Sequence, residues 1–384
     1  PYNSYQFATD GTEHRQGRSL GPPHSEWQFE VHSCAPRGMD VVILAHEQFP
    51  HRAKTALGLC RYADDEIVAL LDRANAGDRI SDHVADACPD GRAQDAPIVA
   101  SMADAPDCDA LVIGVAPIGG GFEGSWRPDV RTALERGCDV VAGLHYLLGE
   151  DEEFVRLADA HGGTLRDVRA PPDDLTVADG TAGEVAAEVV LTVGTDCSTG
   201  KMTASYELRD AARERGLDAA VVPTGQTAIM IEGAGIAVDR VIADFAAGAV
   251  ERLVRERGDH DLLIVEGQGA IGHPAYSGVT TSILHGAQPD GLVLCHEHGR
   301  EAIHGYEAFA IPPLDDQVAL YEDLAAPVAE TTVRAGMLDT SGLDGDATAR
   351  DAIETYGDRV GAPATDPIRF DAAEVLDAVL EAGT

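Results

Sequence analysis

From residue 39 onward, short apolar runs alternate with amphipathic stretches. The runs at 41–44, 67–71, 98–100, 110–115 and 140–142 are continuous rather than alternating, as expected of strands covered on both faces in a parallel sheet, and a short strand is expected at 165–168. Helical spacing appears between them, for example at 130–136 and 152–161. This succession predicts an α/β unit of Rossmann type over 39–169. A second succession begins with a strand at 189–193 and a helix at 203–215. Strands follow at 219–222, 262–265 and 292–295, then a helix at 315–324, a strand at 328–333 and helices at 347–356 and 372–380. The prediction is a second parallel sheet in a domain spanning 188–384. Residues 170–187, APPDDLTVADGTAGEVAA, are rich in Pro, Gly and acid and read as the linker between the two.

Charge narrows the possible partners. The chain holds 28 basic and 66 acidic side chains, a net charge of −38. Such a surface repels nucleic acid and anionic membranes, and it points to small-molecule work in a salt-rich, halophilic cytoplasm where screening is short-ranged. Residues 1–38 lack this bias, with four acids and three bases. They are expected to be a loosely ordered extension that can be removed without loss of activity. No apolar run approaches 18 residues and the first thirty contain no continuous apolar segment, so a cytoplasmic location is expected. The seven cysteines form no C-x-x-C and read as reduced thiols.

The stretch VVLTVGTDCSTGKMT, residues 189–203, is strand, glycine-bounded loop and helix start. Such a loop aims backbone N–H groups and a helix N-terminus at one point, and a lysine at its end adds charge there. Gly194, Thr195, Asp196, Cys197, Ser198, Thr199, Gly200, Lys201, Met202 and Thr203 are therefore candidate ligands of a diphosphate or triphosphate. The usual pattern has four residues between the glycines and a magnesium-binding hydroxyl after the lysine. Here there are five, and Met202 stands in the hydroxyl's place. The loop resembles the variant loop of dethiobiotin-synthetase-like proteins. Lys54 and Lys201 are the only lysines in the chain, which suggests tasks that arginine cannot perform. Cys197 is either a small loop residue beside the phosphates or a nucleophile that carries an acyl group.

Other candidates sit at strand ends. After the first strand the loop reads His46-Glu47-Gln48-Phe49-Pro50, without the glycines of a dinucleotide fingerprint, so a nicotinamide cofactor is not expected. Lys54 and Arg61 follow that strand, Gly120 and Arg127 follow the fourth, and His145 follows the fifth. They are expected to gather at one sheet edge around an anionic substrate. Glu266 ends an apolar strand at the position that serves a P-loop with a metal-orienting acid or a general base. His273 and Tyr276 in the next loop are further proton donors or acceptors, and Arg300 is a candidate carboxylate clamp. His296 and His298 have ligand-like spacing but no third ligand is marked, so no metal is expected.

The segments GTDCSTGKMT, VIGVAPIGGGF, VVAGLHYLLG, LLIVEGQGAIGHP and ATDPIRF together resemble a two-domain family long of unknown function, one characterised member of which is a D-glutamate N-acetyltransferase. The resemblance implies an α/β fold of two domains, Rossmann-like and then P-loop NTPase-like. It also implies transfer of acetyl from acetyl-CoA to the amine of a D-amino acid, with D-glutamate as the acidic substrate. The P-loop would then hold the coenzyme A diphosphate, with Glu266 or His273 as base and Tyr276 or backbone N–H groups on the oxyanion. Lys54, Arg61, Arg127 or Arg300 would meet the substrate carboxylates. The alternative is an ATP- and magnesium-dependent carboxylate-amine ligase or kinase of dethiobiotin synthetase type; Asp339, where those relatives tend to carry Asn, speaks against ordinary adenine recognition. A homo-oligomer is the default expectation.

Overall fold

The computed structural model describes residues 38–84, 93–115, 117 and 119–380. The expected extension at 1–38 lies, apart from Gly38, outside them.

The first sheet contains β1 (Asp40–Leu44), β2 (Glu66–Leu71), β3 (Ile98–Val99), β4 (Ala110–Ile113), β5 (Asp139–Ala142) and β6 (Leu165–Asp167). All pairings are parallel and the order is β3-β2-β1-β4-β5-β6, the doubly wound Rossmann arrangement. Its helices are α1 (Lys54–Tyr62), α2 (Arg127–Glu135) and α3 (Glu152–His161). Asp151 caps α3 by accepting from the backbone N–H of Glu153 and Phe154, which fixes the helix start.

The second sheet is built from β7 (Glu188–Gly194), β8 (Ala219–Val222), β9 (Leu262–Val265), β10 (Gly291–Glu297), β13 (Thr332–Asp339) and β14 (Ala364–Thr365), in the parallel order β14-β13-β10-β7-β9-β8. Around it lie α4 (Lys201–Glu214), α5 (Gln226–Glu232), α6 (Ala243–Glu256), α7 (Ser277–Ala287), α8 (Leu314–Ala325), α9 (Asp346–Val360) and α10 (Ala373–Leu380). The strand expected at 328–333 starts at Thr332 and runs to Asp339, because Ala335 to Leu338 are the residues buried beside β10. An antiparallel hairpin, β11 (Ala302–Ile303) and β12 (Tyr306–Ala310), was not expected. All five residues of β12 are exposed, so no apolar alternation marks it.

The two sheets share hydrophobic packing. Tyr206, Val221, Ala228, Ile229, Met230 and Ile231 of the second half belong to the same apolar cluster as β1, β2, β4 and β5. The contact centres on α5, which lies against α1 and the strand ends of the first sheet. Thr227 Oγ1 is 2.8 Å from Thr55 Oγ1. A Cβ on Gly143 would fall 2.8 Å from Gln226 and 3.1 Å from Met230. The crevice in which a doubly wound sheet ordinarily takes its ligand is thus partly filled by a helix of the other half. Within 170–187, the N–H groups of Asp179 and Thr181 donate to the Glu251 carboxylate, both at 2.8 Å.

Candidate active site

A cavity of about 350 Å³ lies between α1 and the β7–α4 loop. Helix α1 presents Lys54, Leu57, Gly58, Arg61 and Tyr62 to it, spaced as one helical face. The opposite wall is Cys197, Ser198, Gly200, Lys201, Met202 and Thr203, with Gln226, Thr227 and the strand end Glu266 to Gly269 beside them. Asp339 and Ile368 also line it.

The loop that forms the cradle is backed by buried polar contacts. Ser198 has φ +55° and Gly200 φ +86°, a left-handed turn that brings the chain round to the start of α4. Lys201 is 7 % exposed, and its ammonium donates to Asp196 O at 2.7 Å. Burial holds its pKa below the ordinary lysine value. Asp196 is fully buried and its carboxylate accepts from Cys197 N at 2.6 Å, His304 N at 2.8 Å and Arg300 Nη1 at 3.1 Å. Gly194 O accepts from Tyr321 at 2.7 Å, Thr195 Oγ1 bonds His296 Nδ1 at 2.8 Å, and Thr199 Oγ1 donates to Asp196 O at 3.2 Å. These four residues therefore shape the cradle from behind rather than line the cavity. Met202 packs toward α1, its Cε 3.1 Å from where a Gly58 Cβ would stand.

Glu266 is 6 % exposed at the end of β9 and accepts from Gly225 N at 2.9 Å and Thr224 N at 3.3 Å. Burial raises its pKa, while Lys54, these N–H groups and Lys201 pull the other way. The next residue must be glycine: a Cβ on Gly267 would lie 1.8 Å from Thr192 O. An acid whose carboxyl burial pushes above the ordinary carboxylate range is suited to take up a proton as a general base. Gln268 Nε2 donates to Thr224 Oγ1 at 3.3 Å and closes that end.

His273 and Tyr276 adjoin the loop, their rings 4.5 Å apart, but neither lines the cavity. His273 Nδ1 accepts from Ala275 N and Tyr276 N at 3.0 and 3.2 Å. The neutral ring therefore carries its proton on Nε2, so that nitrogen is a donor and not a base. Burial lowers the His273 pKa, which keeps the ring neutral. A nitrogen of His273, the Cys197 sulfur and an Asp196 oxygen lie within 4.8 Å of one another. The three bonds on Asp196 leave that group a structural hub rather than an open ligand set. His296 is half-buried and stacked on Tyr356, whereas His298 is exposed.

Of the expected substrate cations, Lys54 and Arg61 reach the cavity. Arg61 Nε also pairs with Glu207 at 3.2 Å. Arg300 is occupied by Asp196, Cys197 O and Glu297. Gly120, Arg127 and His145 form a separate group: His145 N donates to Gly120 O at 2.9 Å, and Arg127 clamps Asp151 and Glu153 at 2.6 and 2.7 Å while lying over Phe154. The single edge cluster expected from the strand ends is thus divided in two. Gln226 and Thr227 had no assigned role; their signal was the hydroxyl- and glycine-rich end of β8, Pro223-Thr224-Gly225.

Comparison with known sequences gives this geometry a context. Residues 176–376 match the family described as a domain of unknown function (DUF1611_C), P-loop domain, and residues 75–171 match its Rossmann-like partner, DUF1611_N. A D-glutamate N-acetyltransferase of Tritonibacter scottomollicae is 37 % identical over 281 residues, covering 72 % of this chain and 83 % of the relative. One from a Pseudoalteromonas species is 36 % identical over 260 residues, covering 67 % and 77 %. The crystal structure of a DUF1611 family protein from Anabaena variabilis matches with a TM-score of 0.84 at 39 % identity, across 90 % of this chain and all of that one.

Proposed function

The chain belongs to the DUF1611 family, and we propose that it transfers an acetyl group from acetyl-CoA to the amine of D-glutamate. The observation that carries this reading is the cavity between α1 and the P-loop, walled by Lys54, Arg61, Lys201 and Glu266, in a chain whose similar relatives bear that activity in their names. The loop binds the coenzyme A diphosphate through backbone N–H groups and Lys201. Met202, turned toward α1, leaves no hydroxyl directly after the lysine for magnesium, which suits holding a diphosphate better than hydrolysing a triphosphate.

Glu266 takes a proton from the ammonium of the acceptor, freeing the amine to attack the thioester carbonyl; the C–N bond forms, the C–S bond breaks, and coenzyme A leaves as its thiol. The acceptor carboxylates pair with Lys54 and Arg61 on α1. Gln268 and Gly269 line the same cavity, and their backbone N–H groups serve the developing oxyanion as donors.

The test is incubation with acetyl-CoA and D-glutamate without magnesium, following free thiol and the mass of the amino acid. N-acetyl-D-glutamate and stoichiometric thiol are expected. Consumption of ATP with magnesium and no acetylated product would instead support the ligase reading, which Glu266 opposite a phosphate loop also accommodates.

A further inference from the structure

Cys108 and Cys138 precede β4 and β5, neighbouring parallel strands with Ala110 opposite Asp139. Their sulfurs are 3.6 Å apart, and Cys138 Sγ is also 3.2 Å from Cys108 O. Among the described residues no other pair of cysteine sulfurs is in hydrogen-bond contact; Cys60 and Cys295 are buried and Cys197 sits in the P-loop. The surrounding backbone is already pinned. Asp139 N donates to Asp109 O at 2.9 Å, and Arg136 donates to the carbonyls of Ala103, Ala105 and Pro106 at 3.1 to 3.4 Å.

We propose that Cys108 and Cys138 form a reversible disulfide, a redox-modification site where β4 and β5 of the first sheet begin. A disulfide needs sulfurs about 2.05 Å apart, so closure asks for side-chain rotation and little backbone movement. Cys108 is half-buried and reachable, whereas Cys138 is 4 % exposed. One cysteine of the pair, as thiolate, attacks a low-molecular-weight disulfide, forming a mixed disulfide and releasing one small thiol. The other cysteine then attacks that sulfur, the protein disulfide forms and the second small thiol leaves, so both protein thiol protons end on the two released thiols. Reduction by excess small thiol reverses both steps. The bond ties the segment before β4 to the turn between α2 and β5 and restricts the unfolded chain.

The experiment treats the full chain with oxidised glutathione and maps its peptides without reduction. The expected result is a cross-linked peptide pair containing Cys108 and Cys138, reversed by dithiothreitol, with a higher Tm and unchanged activity. Cys108→Ser and Cys138→Ser should each fold, as shown by circular dichroism, and abolish the cross-link; Cys60→Ser should retain it. A glutathione adduct that persists on Cys108, a cross-link to any other cysteine, or no reaction at either thiol in the folded protein overturns the proposal.

Discussion

Lys54 and Lys201, the two lysines of the chain, face one cavity from different sheets, each as the first residue of its helix, α1 and α4. Lys201 is buried against the loop carbonyl of Asp196, whereas Lys54 is exposed. Lys201→Ala is expected to weaken acetyl-CoA binding by ~10–100-fold, the scale of a lost charged hydrogen bond, measured by calorimetry. Lys54→Ala should act chiefly on the acceptor, raising KM for D-glutamate with little change in acetyl-CoA affinity. Equal effects on both ligands would contradict this division.

Glu266→Gln keeps the shape of the site and removes the base, so kcat should fall by about 10²–10⁴-fold. Because burial raises the Glu266 pKa, the wild-type rate should drop on acidification at a pH above the ordinary carboxylate range. The folded state holds this proton more tightly than the unfolded chain does, so its stabilising contribution is complete at low pH and is lost as pH rises through the raised pKa. Thermal melts at neutral pH should therefore show Glu266→Gln at or above the wild-type Tm.

His296 behaves in the opposite sense. Burial pushes its pKa down from 6.5 to about 4, and its Nδ1 bonds Thr195 in the cradle. Its contribution to stability is present above pH 6.5 and is lost as pH falls toward 4. A pH series of melts should show this loss in the wild type and a flatter profile in His296→Gln.

Gly143→Val places a side chain where Gln226 and Met230 of α5 already stand. Overpacking of this kind costs about 1–3 kcal/mol. The urea midpoint should fall, and KM should rise with it because Gln226 also lines the cavity; a midpoint equal to wild type would show that the halves yield here without strain.

A net charge of −38 implies self-repulsion that salt screens. Tm is expected to climb as KCl is raised from millimolar to molar concentration, and a Tm independent of salt would remove the halophilic reading.

The α/β class, both sheets and the phosphate loop were legible because continuous apolar runs and a glycine-bounded strand-to-helix turn are local features, fixed by a few neighbouring residues. Glu266 was legible for the same reason, at the end of an apolar strand. The start of β13 was misplaced and the β11–β12 hairpin missed, since the first is decided by pairing with β10 and the second has no buried face.

The sequence by itself determined the chemistry available: one phosphate loop, two lysines, a strand-end acid and a net charge of −38. Only the tertiary structure decided which of these groups meet. Arg127 and Arg300 looked equivalent to Lys54 and Arg61 in the chain, yet of these four only Lys54 and Arg61 line the cavity, while Arg127 is held by Asp151 and Glu153 and Arg300 by Asp196 and Glu297 away from it. Which carboxylate a guanidinium finds depends on how α3 seats against α2 and how the segment after β10 packs on the phosphate loop. Those are long-range contacts that the spacing of residues along the chain does not encode.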